Sequence, residues 1–358
     1  MKKNVTIQYM RAIAILMVVF QHAIVAVNSS EKSQSIAAVL YSVDVYVFFA
    51  ISGYLFQTNK QKYQKKGFFR FAKDKGKSLL VPYLVWGGGL FAVVYMLYSL
   101  NIPRISATLM AIDFERMSVI EIMNALLTYD KYYVQLYWFI YVLFLIMVAS
   151  YFVPDKTASI SATVILLELL LTYLVLTTDS YLLKKITACF PVFSIGRIYQ
   201  LVEEKHPLKN SRTFLRIGIW MLCFCFLQSL PYAVFQVRYL NRLYIFILEV
   251  LMGIVGTIAV FYCARLLTSK SLKILLLIGN ESFAIYIMHN PYVVKLLAMV
   301  LGRTFLPKPV CLLVVLIAGI SIPILMDRFV ISHSNILKGL LLGRWKTPKK
   351  EIQKRGVA

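Results

Sequence analysis

The sequence predicts an all-α, polytopic integral membrane protein of about ten transmembrane helices, with the N- and C-termini cytoplasmic. Three observations lead there. The first is composition: of 358 residues, 59% are hydrophobic and only 15% charged, with a mean hydropathy of +0.71. A soluble domain is nearer half apolar and a quarter charged, so this chain has too little polar surface to cover itself in water. The second is spacing: apolar windows fall at 5–27, 35–57, 79–100, 132–153, 158–177, 187–202, 214–235, 240–264, 272–299 and 309–331. Most have about the 20 residues that a helix needs to cross a bilayer core.

The third is where the charge sits. The formal net charge of +23 would suit nucleic-acid binding if it formed one patch, but it lies in short segments between the windows, and no nucleic-acid partner is expected. With the N-terminus inside and ten spans alternating, twenty-five lysines and arginines fall inside and ten outside, with Arg11, Arg197, Lys295 and Arg328 within spans. That asymmetry orients the chain and sets the bilayer, with anionic lipid at its inner face, as the first partner.

Taken in order, the first window follows Lys2 and Lys3 but contains Arg11 and His22 and lacks a small-residue cleavage site, so it is expected to be retained as a span. The segment 58–78 between the second and third windows carries eight lysines and arginines interleaved with Phe68, Phe69 and Phe71, the pattern of a helix lying on the inner leaflet. The third window holds Gly87, Gly88 and Gly89, expected to permit close helix packing. The outer connection 101–131 is mixed in charge and is expected to cap the outer mouth. The last window closes on Asp327 and Arg328, a candidate structural ion pair. The domain division is then a transmembrane unit, 1–335, and a basic cytoplasmic tail, 336–358. Five cysteines lie in apolar runs without ligand or disulfide spacing, and no metal site is expected.

Ionisable groups inside spans are costly and mark candidate sites. Arg11 and His22 are eleven residues apart, so a helix places them on one face, separated by about 16.5 Å along the axis. Asp44, in the antiparallel second span, falls within one or two turns of His22 in depth. An Asp–His hydrogen bond there would fix one imidazole tautomer and raise its basicity, while the alternative is an Asp44 that merely lines a polar cavity. His289 is a further buried imidazole, and Glu168, Glu249 and Arg197 are further buried charges. There is no phosphate-binding glycine loop, H-E-x-x-H or G-x-S-x-G.

Several blocks resemble one family. Tyr9-Met10-Arg11-Ala12-Ile13-Ala14-Ile15 followed by His22 resembles the first-helix signature of membrane acyltransferase family 3, an Arg, ten residues and a His. Phe48-Phe49-Ala50-Ile51-Ser52-Gly53-Tyr54-Leu55 resembles its second-helix motif, and Pro82-Tyr83-Leu84-Val85-Trp86 its third helix. Tyr137-Trp138-Phe139, Phe193-Ser194-Ile195-Gly196-Arg197, and the run from Gly279 through Ser282 and Tyr286 to His289 resemble later blocks in family order.

The resemblance implies acyl transfer from cytoplasmic acyl-CoA, such as acetyl-CoA, to a sugar hydroxyl of a surface or lipid-linked polysaccharide in a bacterial plasma (inner) membrane. Acyl-CoA would be a co-substrate, with no permanently bound cofactor, and other polysaccharide-biosynthesis membrane proteins are expected as partners. The catalytic candidates are His22, Arg11 and Asp44, with His22 acting as general base or as acyl carrier. Arg70, Lys73 and Lys77 would meet the phosphates of coenzyme A. The family's inner loop usually carries two or three arginines, where this chain has Arg70 among lysines, and lysine binds phosphate as a point charge rather than a fork. Ser52, Trp138, Tyr286 and His289 complete the substrate-binding candidates, Ser52 or Tyr286 as an oxyanion donor. On composition alone, a glycan or lipid-linked-sugar flippase would fit as well.

Overall fold

A computed structural model describes residues 4–100, 137–177, 180–205 and 242–345. Among these residues the chain is all-helical, and no strand occurs. Five stretches are long and apolar enough to cross a membrane: Val5–Val27, Glu31–Lys66, Val250–Leu267, Ser282–Leu301 and Lys308–His333. The protein is therefore a multi-pass membrane protein. The windows at 132–153 and 158–177 appear as helices Trp138–Tyr151 and Thr157–Thr177, while the seventh window and the outer connection 101–131 lie outside the described residues.

Helix α1 (Val5–Val27) is the hub. The Asn4 side chain caps it by accepting hydrogen bonds from the N–H groups of Thr6 and Ile7, at 3.0 and 3.5 Å. Its core face, which includes Ile15, Val18 and Val19, is fully covered by neighbouring helices. The second window is not one straight helix. It divides into α2 (Glu31–Tyr41), capped by Ser30, and α3 (Asp44–Lys66), with a break at Ser42 and Val43. The break makes Asp44 the first residue of α3, where a carboxylate meets free backbone N–H groups.

The basic segment departs from expectation. It forms no separate surface helix: α3 runs to Lys66, Gly67 turns the chain at φ +80°, and α4 (Phe68–Ser99) leaves at once and continues through Pro82. The reason lies in its aromatic residues. Phe71 is buried against Phe56, Tyr63 and Tyr151, so this end of the hairpin has its own small core. At the surface Lys66 pairs with Asp74 at 2.6 Å and holds that carboxyl below its usual range.

Helices α5 (Trp138–Tyr151), α6 (Thr157–Thr177) and α7 (Tyr181–Lys205) follow. α3 and α7 pack closely because each offers a glycine to the other's backbone. A Cβ on Gly53 would strike the Phe193 carbonyl, and one on Gly196 would strike the Ala50 carbonyl. In the glycine run singled out in the sequence, Gly88 and Gly89 do not play this part, since a Cβ on either meets nothing within 4 Å among the described residues. Beside the α3–α7 crossing, Arg197 is fully buried. It donates to Gln57 Oε1 at 2.9 Å and lies 3.7 Å from Asp155, which also pairs with the buried Lys60 at 2.9 Å.

After α8 (Arg242–Leu267), the ninth window is broken into α9 (Lys273–Asn280), α10 (Ser282–Met288), a π-helical turn at His289–Val293 and α11 (Val294–Leu301). Asn290 within the turn has extended backbone angles, φ −130° and ψ 131°, which interrupt the helical ladder. α12 (Lys308–Phe329) leads to α13 (Asn335–Leu342), which lies against α4: Trp86 Nε1 donates to the Leu341 carbonyl at 2.9 Å and Trp345 Nε1 to the Lys77 carbonyl at 2.8 Å. Asp327 does not pair with Arg328. Adjacent residues on a helix point about 100° apart, and Asp327 is instead buried against Arg344 at 2.6 Å while Arg328 is exposed.

Candidate functional site

The site is built where α1, the α2–α3 break, the start of α5 and the interrupted helix α10–α11 converge. A cavity of about 170 Å³ lies there, lined by His22 and Gln21 from α1, Tyr41 and Val45 from either side of the break, Trp138, Tyr181, and Tyr286, His289 and Asn290. Each interruption in the helices serves this convergence. Tyr41 and Val45 line the cavity from either side of the break at Ser42 and Val43, and the extended backbone at Asn290 lets its side chain reach across to α1.

The two imidazoles face each other, with ring centroids 5.3 Å apart. His289 Nδ1 lies 2.9 and 2.8 Å from the carbonyls of Ile285 and Tyr286. Carbonyls only accept, so Nδ1 carries the proton, and Nε2 is left as a lone-pair acceptor. Nε2 is buried with no partner among the described residues. His22 Nδ1 lies 3.4 Å from the Asn290 carboxamide nitrogen, and the Asn290 oxygen is likewise buried without a partner among the described residues. The walls are aromatic. Lys185 sits behind them, 4.9 Å from the Tyr41 ring centroid, 5.0 Å from Trp138 and 5.6 Å from Tyr181, where ring faces stabilise a cation.

The sequence candidates separate into those gathered here and those not. His22, Trp138, Tyr286 and His289 all line the cavity. Asp44 is fully buried next to it but does not bond His22: its Oδ1 accepts from the Val45 N–H at 2.5 Å, and it lies within electrostatic reach of Lys185. The imidazole's polar neighbour is Asn290. Ser52 is two turns further along α3 and is absent from the lining. Arg11 is on the same continuous helix as His22, partly buried, with no ion pair to an acidic residue among the described residues. Arg70, Lys73 and Lys77 are exposed on the first turns of α4 at i, i+3 and i+7, a single helix face. None of the three is in the cavity lining.

Sequence reasoning did not single out Asn290, Tyr41, Tyr181 or Gln21 as site residues. Asn290 carried one signal, a polar residue between His289 and Pro291 inside an apolar window. Glu168 and Glu249 fall where side chains are not described, and His333 is exposed. No group of three or more potential metal ligands occurs among the described residues.

A family model described as an acyltransferase domain matches residues 4–328, which include every residue of this cavity. No curated protein and no solved structure gives a significant match.

Proposed function

Because the chain belongs to the acyltransferase 3 family and is an acyltransferase of groups other than aminoacyl groups, we propose that it moves an acetyl group from cytoplasmic acetyl-CoA to a sugar hydroxyl of a surface or lipid-linked polysaccharide. The observation that carries this reading is the meeting of His22 and His289 in one buried cavity, on a helix that also holds Arg11. An imidazole with a free lone pair takes a proton from a hydroxyl or attacks a thioester, and both steps serve acyl transfer.

Acyl-CoA acts as co-substrate, with its phosphates on the cationic face of Arg70, Lys73 and Lys77. Its arm extends past Arg11 toward His22, over an axial rise of about 16.5 Å. Trp138, Tyr41 and Tyr181 offer flat apolar faces against which a sugar ring can stack. Tyr286 lines the cavity and Ser52 does not, so Tyr286 is the better-placed oxyanion donor. Ten spans with both termini inside agree with the charge asymmetry, and the bacterial plasma membrane supplies donor and acceptor on opposite faces.

Purified protein in liposomes, given radiolabelled acetyl-CoA, tests the reading. Wild type should release coenzyme A and His22→Ala should not. Full activity in His22→Ala, or glycan flipping with no consumption of acyl-CoA, would refute it.

A further inference from the structure

We propose that His289 is the general base for the acceptor hydroxyl, which leaves His22 to carry the acyl group; the division rests on the acyltransferase reading above. Three features carry it. The two carbonyls at His289 Nδ1 fix the tautomer through the backbone, so the lone pair on Nε2 is built into the fold. That lone pair is buried, has no partner among the described residues, and belongs to a residue lining the cavity. The rings are 5.3 Å apart, so a hydroxyl bonded to one imidazole lies beside the other.

Asn290 completes the arrangement as a positioning residue. A half-turn of its carboxamide exchanges donor for acceptor at His22 Nδ1. With the oxygen turned inward, it accepts the Nδ1–H and frees Nε2 of His22. In the first step the His22 Nε2 pair forms a bond to the thioester carbonyl carbon, the C–S bond breaks, and its electrons leave on the coenzyme A thiolate. The Nδ1 proton stays, held by Asn290, so the carrier is a cationic acyl-imidazole. In the second step His289 Nε2 takes the acceptor's proton as the acceptor oxygen bonds the acyl carbon. The N–C bond breaks, its pair returning to His22 as neutral imidazole. The proton on His289 passes to the thiolate, which gives the ester and free coenzyme A.

The experiment separates the two half-reactions. Wild type and His289→Gln in liposomes are charged with radiolabelled acetyl-CoA, and the label is followed onto protein and then off it, with water or hydroxylamine as acceptor. Glutamine retains a polar amide but cannot take a proton. His289→Gln should acquire label as wild type does and lose it to water about 10²- to 10⁴-fold more slowly. Hydroxylamine, a nucleophile that needs no base, should discharge both proteins at the same rate, which a merely structural role would not produce.

A folded His289→Gln that takes no label, or that discharges to water at the wild-type rate, overturns the assignment. Peptide mapping of charged wild type is independent of any variant and should place the label on His22. Label on His289, or turnover without labelled protein, overturns the division of labour while leaving acyl transfer intact. A wild type that neither takes label nor consumes acetyl-CoA removes the acetyl-transfer reading itself, and this assignment with it.

Discussion

Gly196→Ala should destabilise the protein by about 2.5–6 kcal/mol. The added Cβ meets the Ala50 carbonyl, which is backbone and cannot rotate away, so α3 and α7 must separate. Forcing a methyl group into a closed contact costs about 1–3 kcal/mol. The separation also strains the bond from buried Arg197 to Gln57, now 2.9 Å, and a hydrogen bond to a charged group is worth about 1.5–3 kcal/mol. Gly76→Ala serves as the control. It too is a helical glycine, but its Cβ would make only an ordinary 3.9 Å contact with Phe144, so the change should lie within about 0.5 kcal/mol or stabilise slightly. Thermal and SDS-induced unfolding in detergent, followed by circular dichroism, would measure both variants. If Gly196→Ala unfolds with the control, the backbone contact does not set the α3–α7 distance and the argument fails.

Other predictions follow from single contacts. Arg344→Ala leaves the Asp327 carboxylate buried without its 2.6 Å partner and should cost about 1–3 kcal/mol, read as a lowered unfolding midpoint. Trp345→Ala removes the bond to the Lys77 carbonyl and should speed tryptic cleavage after Lys338 and Arg344 without abolishing folding. For Asp74, whose carboxyl is held below its usual value by Lys66, the sign is fixed: the contribution is present above the unfolded value of about 4 and is lost as pH falls through the lower folded value. The pair is exposed, so Asp74→Asn should cost less than about 1 kcal/mol at pH 7 and nothing in strong acid, by comparison of unfolding curves at the two pH values.

The membrane class was legible because it depends on composition and window length, which are properties of the chain itself. The alignment of Arg11 with His22 was legible for the same reason, since α1 is one regular helix and spacing alone decides which face a residue occupies. What escaped was set by contacts distant in sequence. Gly53 and Gly196 are no more distinctive locally than Gly88 and Gly89, and only the opposing backbone tells them apart. The separate interfacial helix expected at 58–78 failed because aromatic residues among cations fit a membrane surface and a small core equally well, and the partners of Phe71 include Tyr151, eighty residues further on, as well as Phe56 and Tyr63 on α3. Depth placed Asp44 level with His22, but depth carries no lateral information and left a bond to His22 and a mere place in the lining equally open. The break at Asn290 supplied a different neighbour, and hydrophobic periodicity gives no sign of where a backbone leaves the helical ladder.

That break also divides the site mechanically. α1 runs from Val5 to Val27 with no internal proline, glycine or lost turn, so the position of His22 relative to Arg11 is that of two marks on a rigid rule. His289 belongs to a stretch whose hydrogen-bond ladder is interrupted one residue later, where bending costs less than in a continuous helix. The two imidazoles of the cavity therefore stand on unlike supports, one on an unbroken rod and the other beside a gap in the ladder.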